Sequence, residues 1–510
     1  MKRGVVRVDH PIVQKKIERS LGLSVKDGTA TAIASNFSMS YFAPFALALN
    51  ATAVQMGILY SIISLLPSLV QLKAGALIER FSRKRITLTG VMGKVLLVLP
   101  ILFIAYLHWT GVPHMVWVLI LLVGLHYAGT AVALPAWFSW MGSLVPDEKR
   151  GKYFARRNRI AGFFGVVAMI SGALILDGIK KFGTGGDVLG LTLLGFGIVF
   201  GLSGLFRFWS WSLIKRQYEP RIKIRKKDHF SFMDFLCSCR ETPFGRFSLF
   251  AGAFAFAVGI STPYWAVYMI RDLGWSYMWY MAVTVSAVLF QLVFLPLLGK
   301  FSDRFGNVKL MRVCSTLAGM TPFLWITSIL IGSDLGVKIY LLLVPAIVGG
   351  FGWAGYNLAL NNYVYDAVGN RKRGFGLSYM NLLIGLGGFA GAGTGALLAW
   401  ANVGFMNPML FIFAVSGVVR LFVALYVSKF LHEVRNVKKF APEFLVREFA
   451  PAQGLLREVH SLEHLVEKVE HYIEGGEKEK FEVEKLEEEI DVIKKKGEKI
   501  EKKTGSVLSQ

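Results

Sequence analysis

Cysteine is scarce in this chain: three residues in 510, Cys237, Cys239 and Cys314. Three cannot build a disulfide framework, and Cys237-x-Cys239 lacks the further ligands of a zinc site. A Gly-x-x-x-x-Gly-Lys-(Ser/Thr) loop is absent, which argues against an ATP-driven pump. His-Glu-x-x-His is absent too, and no nucleophile constellation stands out in a polar segment. The reading is therefore not an enzyme, with no catalytic residue, metal or cofactor. Acidic residues are few, 34 against 57 Lys and Arg, for a formal charge of +23. That charge is scattered over many short segments, so nucleic acid is not the predicted partner. Carboxylates also look absent from the middle of the apolar stretches. Glu79, Asp303 and Asp366 fall at one set of ends, and Asp177, Asp187, Asp272 and Asp334 at the other. A cleavable leader is not expected, because the first apolar run begins only near Gly28.

What the chain does have is apolar length. Hydrophobic residues make up 54%, Phe numbers 39 and mean hydropathy is +0.49. Stretches of about 20 apolar residues can cross a bilayer as helices. About twelve are visible, near 28–49, 54–74, 86–107, 114–135, 159–178, 188–214, 246–270, 276–298, 309–331, 337–358, 376–399 and 406–430. Positive charge alternates between the connections. Arg80/Arg83/Lys84/Arg85, Lys149/Arg150/Lys152, Lys215 to Lys227, Lys300/Arg304 and Arg371/Lys372/Arg373 follow the even spans. The opposite connections are nearly bare. Lys/Arg excess marks the cytoplasmic side, so a multi-pass cell-membrane protein with both termini cytoplasmic is predicted, its basic loops against membrane lipids.

A short charged motif occurs twice. Gly75-Ala-Leu-Ile-Glu79-Arg80-Phe81, followed by Arg83 and Lys84, returns as Gly299-Lys-Phe-Ser-Asp303-Arg304-Phe305, offset 299 − 75 = 224. Other anchors repeat at similar spacing. Tyr127-Ala128-Gly129 returns as Trp353-Ala354-Gly355 (353 − 127 = 226), and Ser203-Gly204-x-x-Arg207 as Ser416-Gly417-x-x-Arg420 (416 − 203 = 213). Duplicated membrane bundles are a mark of secondary transporters. The motif and its repeat resemble the major facilitator superfamily over about residues 28–430. The second copy is degenerate, with Asn307 and Val308 in place of Arg83 and Lys84.

The resemblance implies an all-α integral membrane fold of about 12 transmembrane helices in two pseudo-symmetric six-helix bundles. It also implies a central cavity lined by spans 1, 4, 7 and 10, and the residues there are unusual in their own right. Span 1 carries Asn36 and Tyr41. Span 4 carries His126 and Tyr127, with Trp137 just past its expected end. Span 7 carries Tyr264, Trp265 and Tyr268, and span 10 Trp353, Tyr356, Asn357 and Asn361. Amides and rings of this kind are costly in hydrocarbon unless paired or wet, and a cavity face suits them. Interhelical bonding and ring packing are the competing explanation. His126 is the candidate carrier of a coupling proton. Lys94 is expected to extend toward the basic end. Gly75, Glu79, Arg80, Arg83, Gly299, Asp303 and Arg304 are read as gating elements that hold helix ends together in one state.

Five regions follow: a cytosolic segment 1–27 with an amphipathic helix, bundles at 28–214 and 246–430, a cytosolic linker at 215–245 and a charged tail at 431–510. In the tail, Leu455, Val459, Leu462 and Val466 step by 4, 3 and 4 like a heptad seam. A cytosolic helical hairpin, a docking element, self-association and a solvated tail all remain open. The expected function is alternating-access transport of a small organic solute. A membrane sensor or scaffold signalling through the tail is the alternative.

Overall fold

The computed structural model describes residues 11–72, 77, 80–145, 150–181, 187–220, 232–368, 373–401, 407–435 and 437. Gly75, Glu79 and the heptad-like tail lie outside them. The described residues form long helices. The first six are α1 (Pro11–Met39), α2 (Ala53–Leu72), α3 (Arg83–Trp109), α4 (Met115–Leu144), α5 (Arg150–Lys181) and α6 (Val188–Lys215). The next six are α7 (Pro243–Ser261), α8 (Tyr277–Phe305), α9 (Asn307–Ile326), α10 (Asp334–Ala367), α11 (Arg373–Ala401) and α12 (Pro408–Leu425). Eleven of them, α2 to α12, are long and apolar enough to cross a membrane. α1 falls short of that composition because Lys15, Lys16, Glu18, Arg19, Lys26 and Asp27 lie along its first 17 residues.

Local chemistry sets where these helices begin. Ser82, Asp187, Thr242, Ser276, Ser333 and Asn407 each accept a backbone N–H of the turn that follows. Such caps satisfy donors that the helix itself leaves free. Pro67, Pro100, Pro135, Pro296, Pro322 and Pro345 all lie inside helices. Neighbouring helices make that tolerable in a membrane bundle.

Packing repeats with a shift of six helices. α1 packs on α5 and α6 as α7 packs on α11 and α12. α3 packs on α4 and α6 as α9 packs on α10 and α12, and α2 meets α4 as α8 meets α10. The Ser-Gly-x-x-Arg anchors explain part of this. Ser203 donates to the Ala34 carbonyl at 2.7 Å, and Ser416 donates to the Ala257 carbonyl at 2.7 Å. Each hydroxyl ties the last helix of a half to its first. α1 and α7 also break at corresponding places, at Ser40-Tyr41 and Thr262-Pro263 (262 − 40 = 222), before a further helical turn. α7 then ends in a π-turn, Val267–Asp272.

The amino-terminal segment differs from the expected separate surface helix. α1 is continuous from Pro11, and Ile17 and Leu21 pack on a cluster formed by Trp137, Trp140, Met141 and Ile214. Asp27 lies 16 residues into α1, about 24 Å along the helix. It is 2% exposed, a carboxylate buried inside the first half.

The halves meet along two seams, α2 with α11 and α5 with α8, each the six-helix image of the other. The seams are unequal. α2 and α11 are zipped along their length. Gly57 lies against Ala396, Ser61 donates to the Phe389 carbonyl at 3.2 Å, and the Asn381 amide donates to Gln71 Oε1 at 3.3 Å. Gly385 makes this approach possible, since a Cβ there would collide with Ser68. At Gly391 a Cβ would strike the Phe256 carbonyl, so α11 also lies close on α7.

Candidate functional site

A cleft of about 410 Å³ lies where α2, α7, α10 and α11 converge. α2 contributes Tyr60, Ser64, Pro67, Ser68 and Gln71. α7 contributes Phe254, Val258 and Thr262. α10 contributes Trp353, Tyr356, Asn357 and Leu360, and α11 contributes Asn381, Ile384 and Gly388. The volume is in the range of small-molecule sites. Among these lining residues none is charged. Phe254 packs on Tyr356 at 4.8 Å and on Trp353 at 6.2 Å between ring centroids, which fixes the aromatic wall. Asn357 is exposed to the cleft, and its carbonyl accepts the Asn361 amide at 2.8 Å.

Of the twelve expected binding residues, the structure brings three to this cleft: Trp353, Tyr356 and Asn357. Asn361 is exposed one turn beyond them. The others turn elsewhere, because ring packing and backbone bonding inside each half claim them. Asn36 donates to the Ala32 carbonyl at 2.8 Å and faces Gly165 on α5. The break in α1 turns Tyr41 onto α5, where its hydroxyl donates to the Met169 carbonyl and its ring covers Gly172. Trp137 lies well within α4, which runs on to Leu144, and the Arg157 guanidinium covers its ring at 4.3 Å. Trp265 stacks on Phe413 at 4.0 Å, and Tyr268 meets Phe413 and Trp325 edge-on. Tyr264 is fully buried against Gly57. His126 is buried edge-on to Phe42 at 5.3 Å, and Tyr127 is half-buried beside it.

The first half reaches the cleft through α2, which sequence reasoning passed over. The signal was present: Tyr60, Ser64 and Ser68 step by four through an apolar helix, with Gln71 three residues on.

Arg83 bonds within its own half. The Arg83 backbone N–H donates to Glu219 Oε1 at 2.9 Å, and its guanidinium pairs with the same carboxylate at 3.4 Å. That guanidinium also donates to the carbonyls of Ser139 at 3.0 Å and Pro220 at 2.9 Å. The segment after α6 thus caps α3 and ties it to α4. The second half does the same work with other atoms. Glu433 accepts the Val308 N–H at 2.9 Å, and the Asn307 amide donates to Asp366 of α10 at 2.6 Å. The residue replacing Arg83 therefore keeps its bridging task. Arg80, Asp303 and Arg304 are exposed. Gly299 has open space around it.

At the opposite ends the halves are sealed. Asp177 of α5 accepts the N–H groups of Tyr277 at 3.1 Å and Met278 at 2.8 Å, capping α8 across the interface. Lys180 covers the Tyr277 ring at 4.4 Å, and Phe196 meets that ring edge-on at 5.5 Å. The turn after the break in α1 packs against the π-turn of α7. The cleft lies on the other side of this seal, running from Tyr60 to Gln71 toward the basic end.

Duplicated six-helix halves around a central cleft define a membrane transport fold. Two stretches, residues 28–283 and 247–463, match the model of the Major Facilitator Superfamily, and the chain belongs to this family. No curated protein sequence matches it. Similar solved structures include the POT family transporter PepTSo, at TM-score 0.62 and 12% identity over 81% of this chain and 97% of that one. The D-xylose-proton symporter gives 0.59 and 15% over 84% and 100%. A bacterial homolog of the human lysosomal transporter Spinster, in an inward-facing and unoccupied conformation, gives 0.58 and 18% over 84% and 99%. At such identities the likeness shows the fold alone.

Proposed function

We propose that this chain is a secondary transporter that moves a small, neutral, polar organic solute by alternating access. The observation that carries the reading is the cleft between the halves, with four aromatic rings and three amides and no charge among its lining residues. A strongly charged solute buried there would lack a counter-ion. A neutral one offers hydroxyls or amides to Asn357, Gln71 and Asn381 and an apolar face to Trp353. By the distribution of Lys and Arg, the basic end is cytoplasmic and both termini lie on that side. The structure then corresponds to a state closed outside and open inside. The halves rock about the cleft, and the Arg83–Glu219 and Asn307–Asp366 ties keep each half rigid as it moves.

A thermal-shift screen of uncharged sugars, nucleosides and amides on purified protein, followed by flux in vesicles, tests this. A hit should lose affinity at least about tenfold in Trp353→Ala and in Asn357→Ala, the loss of one good contact. A ligand whose binding survives both changes would place the site elsewhere.

A further inference from the structure

We propose that Lys94 and His126 form a proton-exchange site that couples transport to a proton gradient; this rests on the transport reading above. Lys94 is 2% exposed in the middle of α3. Its Nζ donates to Thr130 of α4 at 2.9 Å. No carboxylate pairs with it among the described residues. His126 lies on the same face of α4 one turn away, 3% exposed, with no hydrogen-bond partner on either ring nitrogen. The groups facing this pair are Arg207 from α6, which also interacts with both, and Asp27 from α1 beyond it. Asp27 is already engaged. It accepts from Ser210 at 2.6 Å and lies 3.9 Å from Arg157 of α5, while Arg207 donates to Thr31 at 2.8 Å.

The internal repeat shows that the fold does not require these groups. By the offsets of the repeated anchors, Lys94 corresponds to Ala318 (94 + 224), His126 to Gly352 (126 + 226) and Asp27 to Phe250 (27 + 223). The second half packs the same helices with no ionisable side chain at any of the three positions. Only the arginine is kept in both, and the terminal nitrogens of Arg420 donate to neutral groups, the Ala318 and Val258 carbonyls and Ser261. Ionisable residues buried in a membrane bundle without structural need are typical of proton pathways.

On the side toward the cleft, Tyr127 meets His126 ring to ring at 6.3 Å, and Tyr60 of α2 lines the cleft itself. A proton taken up on one imidazole nitrogen releases the proton on the other to the Lys94 amine, with no net change at the histidine. As seen here, an ammonium at Lys94 has a guanidinium for a neighbour and no bonded carboxylate. The inside-open state is therefore the one that releases the proton, and protonation favours the outside-open state.

The test uses full-length protein in liposomes with spin labels at Lys181 and Arg271, both exposed at the outer ends. Lowering the pH should lengthen the distance, with the ratio of states changing by up to about tenfold per pH unit for one linked proton. Lys94→Met should hold the outer end closed at every pH, and Lys94→Arg, permanently charged, should hold it open. His126→Phe should slow the response to a pH jump while leaving its end points in place. A wild-type distance indifferent to pH, or a pH response intact in Lys94→Met, overturns the proposal. A response lost in Asp27→Asn but kept in Lys94→Met overturns it in favour of the carboxylate. Should the outer ends never separate, even when Asp177 is replaced by Asn, the transport reading itself fails.

Discussion

In the proposed transport cycle, replacing Asp177 by Asn should release the outer seal. The carboxylate accepts two backbone N–H groups at the start of α8, 3.1 and 2.8 Å away, and these are its bonds across the halves. It sits where the α8 macrodipole is positive, which is worth about 0.3–1 kcal/mol. Hydrogen bonds to a charged group contribute about 1.5–3 kcal/mol net. Asparagine keeps one acceptor oxygen and loses the charge. The expected loss is therefore about 1–3 kcal/mol from the outside-closed state alone, since the contact does not exist once the halves separate. That corresponds to a shift of about 5- to 150-fold in the ratio of closed to open. Asp177→Glu, with the charge kept on a longer arm, should lose less. The Lys181/Arg271 label pair reads the populations directly. A ratio unchanged within about twofold in Asp177→Asn would show that ring packing around Tyr277, not the cap, holds the outer end shut.

Other substitutions separate the remaining contacts. Gly385→Leu should force α2 and α11 apart, because its side chain has no room beside Ser68; loss of solute-dependent thermal shift in a protein that still purifies as a single species is the expected result. Arg83→Ala should lower thermal stability by about 1–3 kcal/mol, leaving Glu219 unpaired and freeing the Ser139 and Pro220 carbonyls, whereas exposed Arg80→Ala should change stability by less than about 0.5 kcal/mol; denaturation curves decide. The Gly190 N–H and then the Trp109 indole hold the Asp187 carboxyl below its ordinary value of 3.8. The cap's contribution is therefore present above that value and is lost as pH falls through the lowered one, so Asp187→Asn should differ from the parent near neutral pH and converge with it in acid.

Apolar length, alternating loop charge and the 224-residue repeat determined the helical class, the approximate number of spans and the family from sequence alone. These are properties that each stretch carries by itself. A helix must be apolar to cross, and a duplicated motif stays recognisable wherever its side chains point. The cap residues Ser82, Thr242 and Ser333 were equally local. Partnership was not. Nothing in the order of residues says that Glu219 closes on Arg83, 136 residues away, or that Tyr41 turns onto α5 while Trp353 faces the cleft. Rings and amides in apolar helices are compatible with either a cavity or a packed interior. Only the crossing of helices distant in sequence decides between them. The same holds for Asp27. The composition of its neighbourhood resembles a solvated helix start, yet the continuity of α1 carries it in among Ser210, Arg157 and Arg207. Burial depends on what packs against a residue, and in a bundle those neighbours come from the other helices.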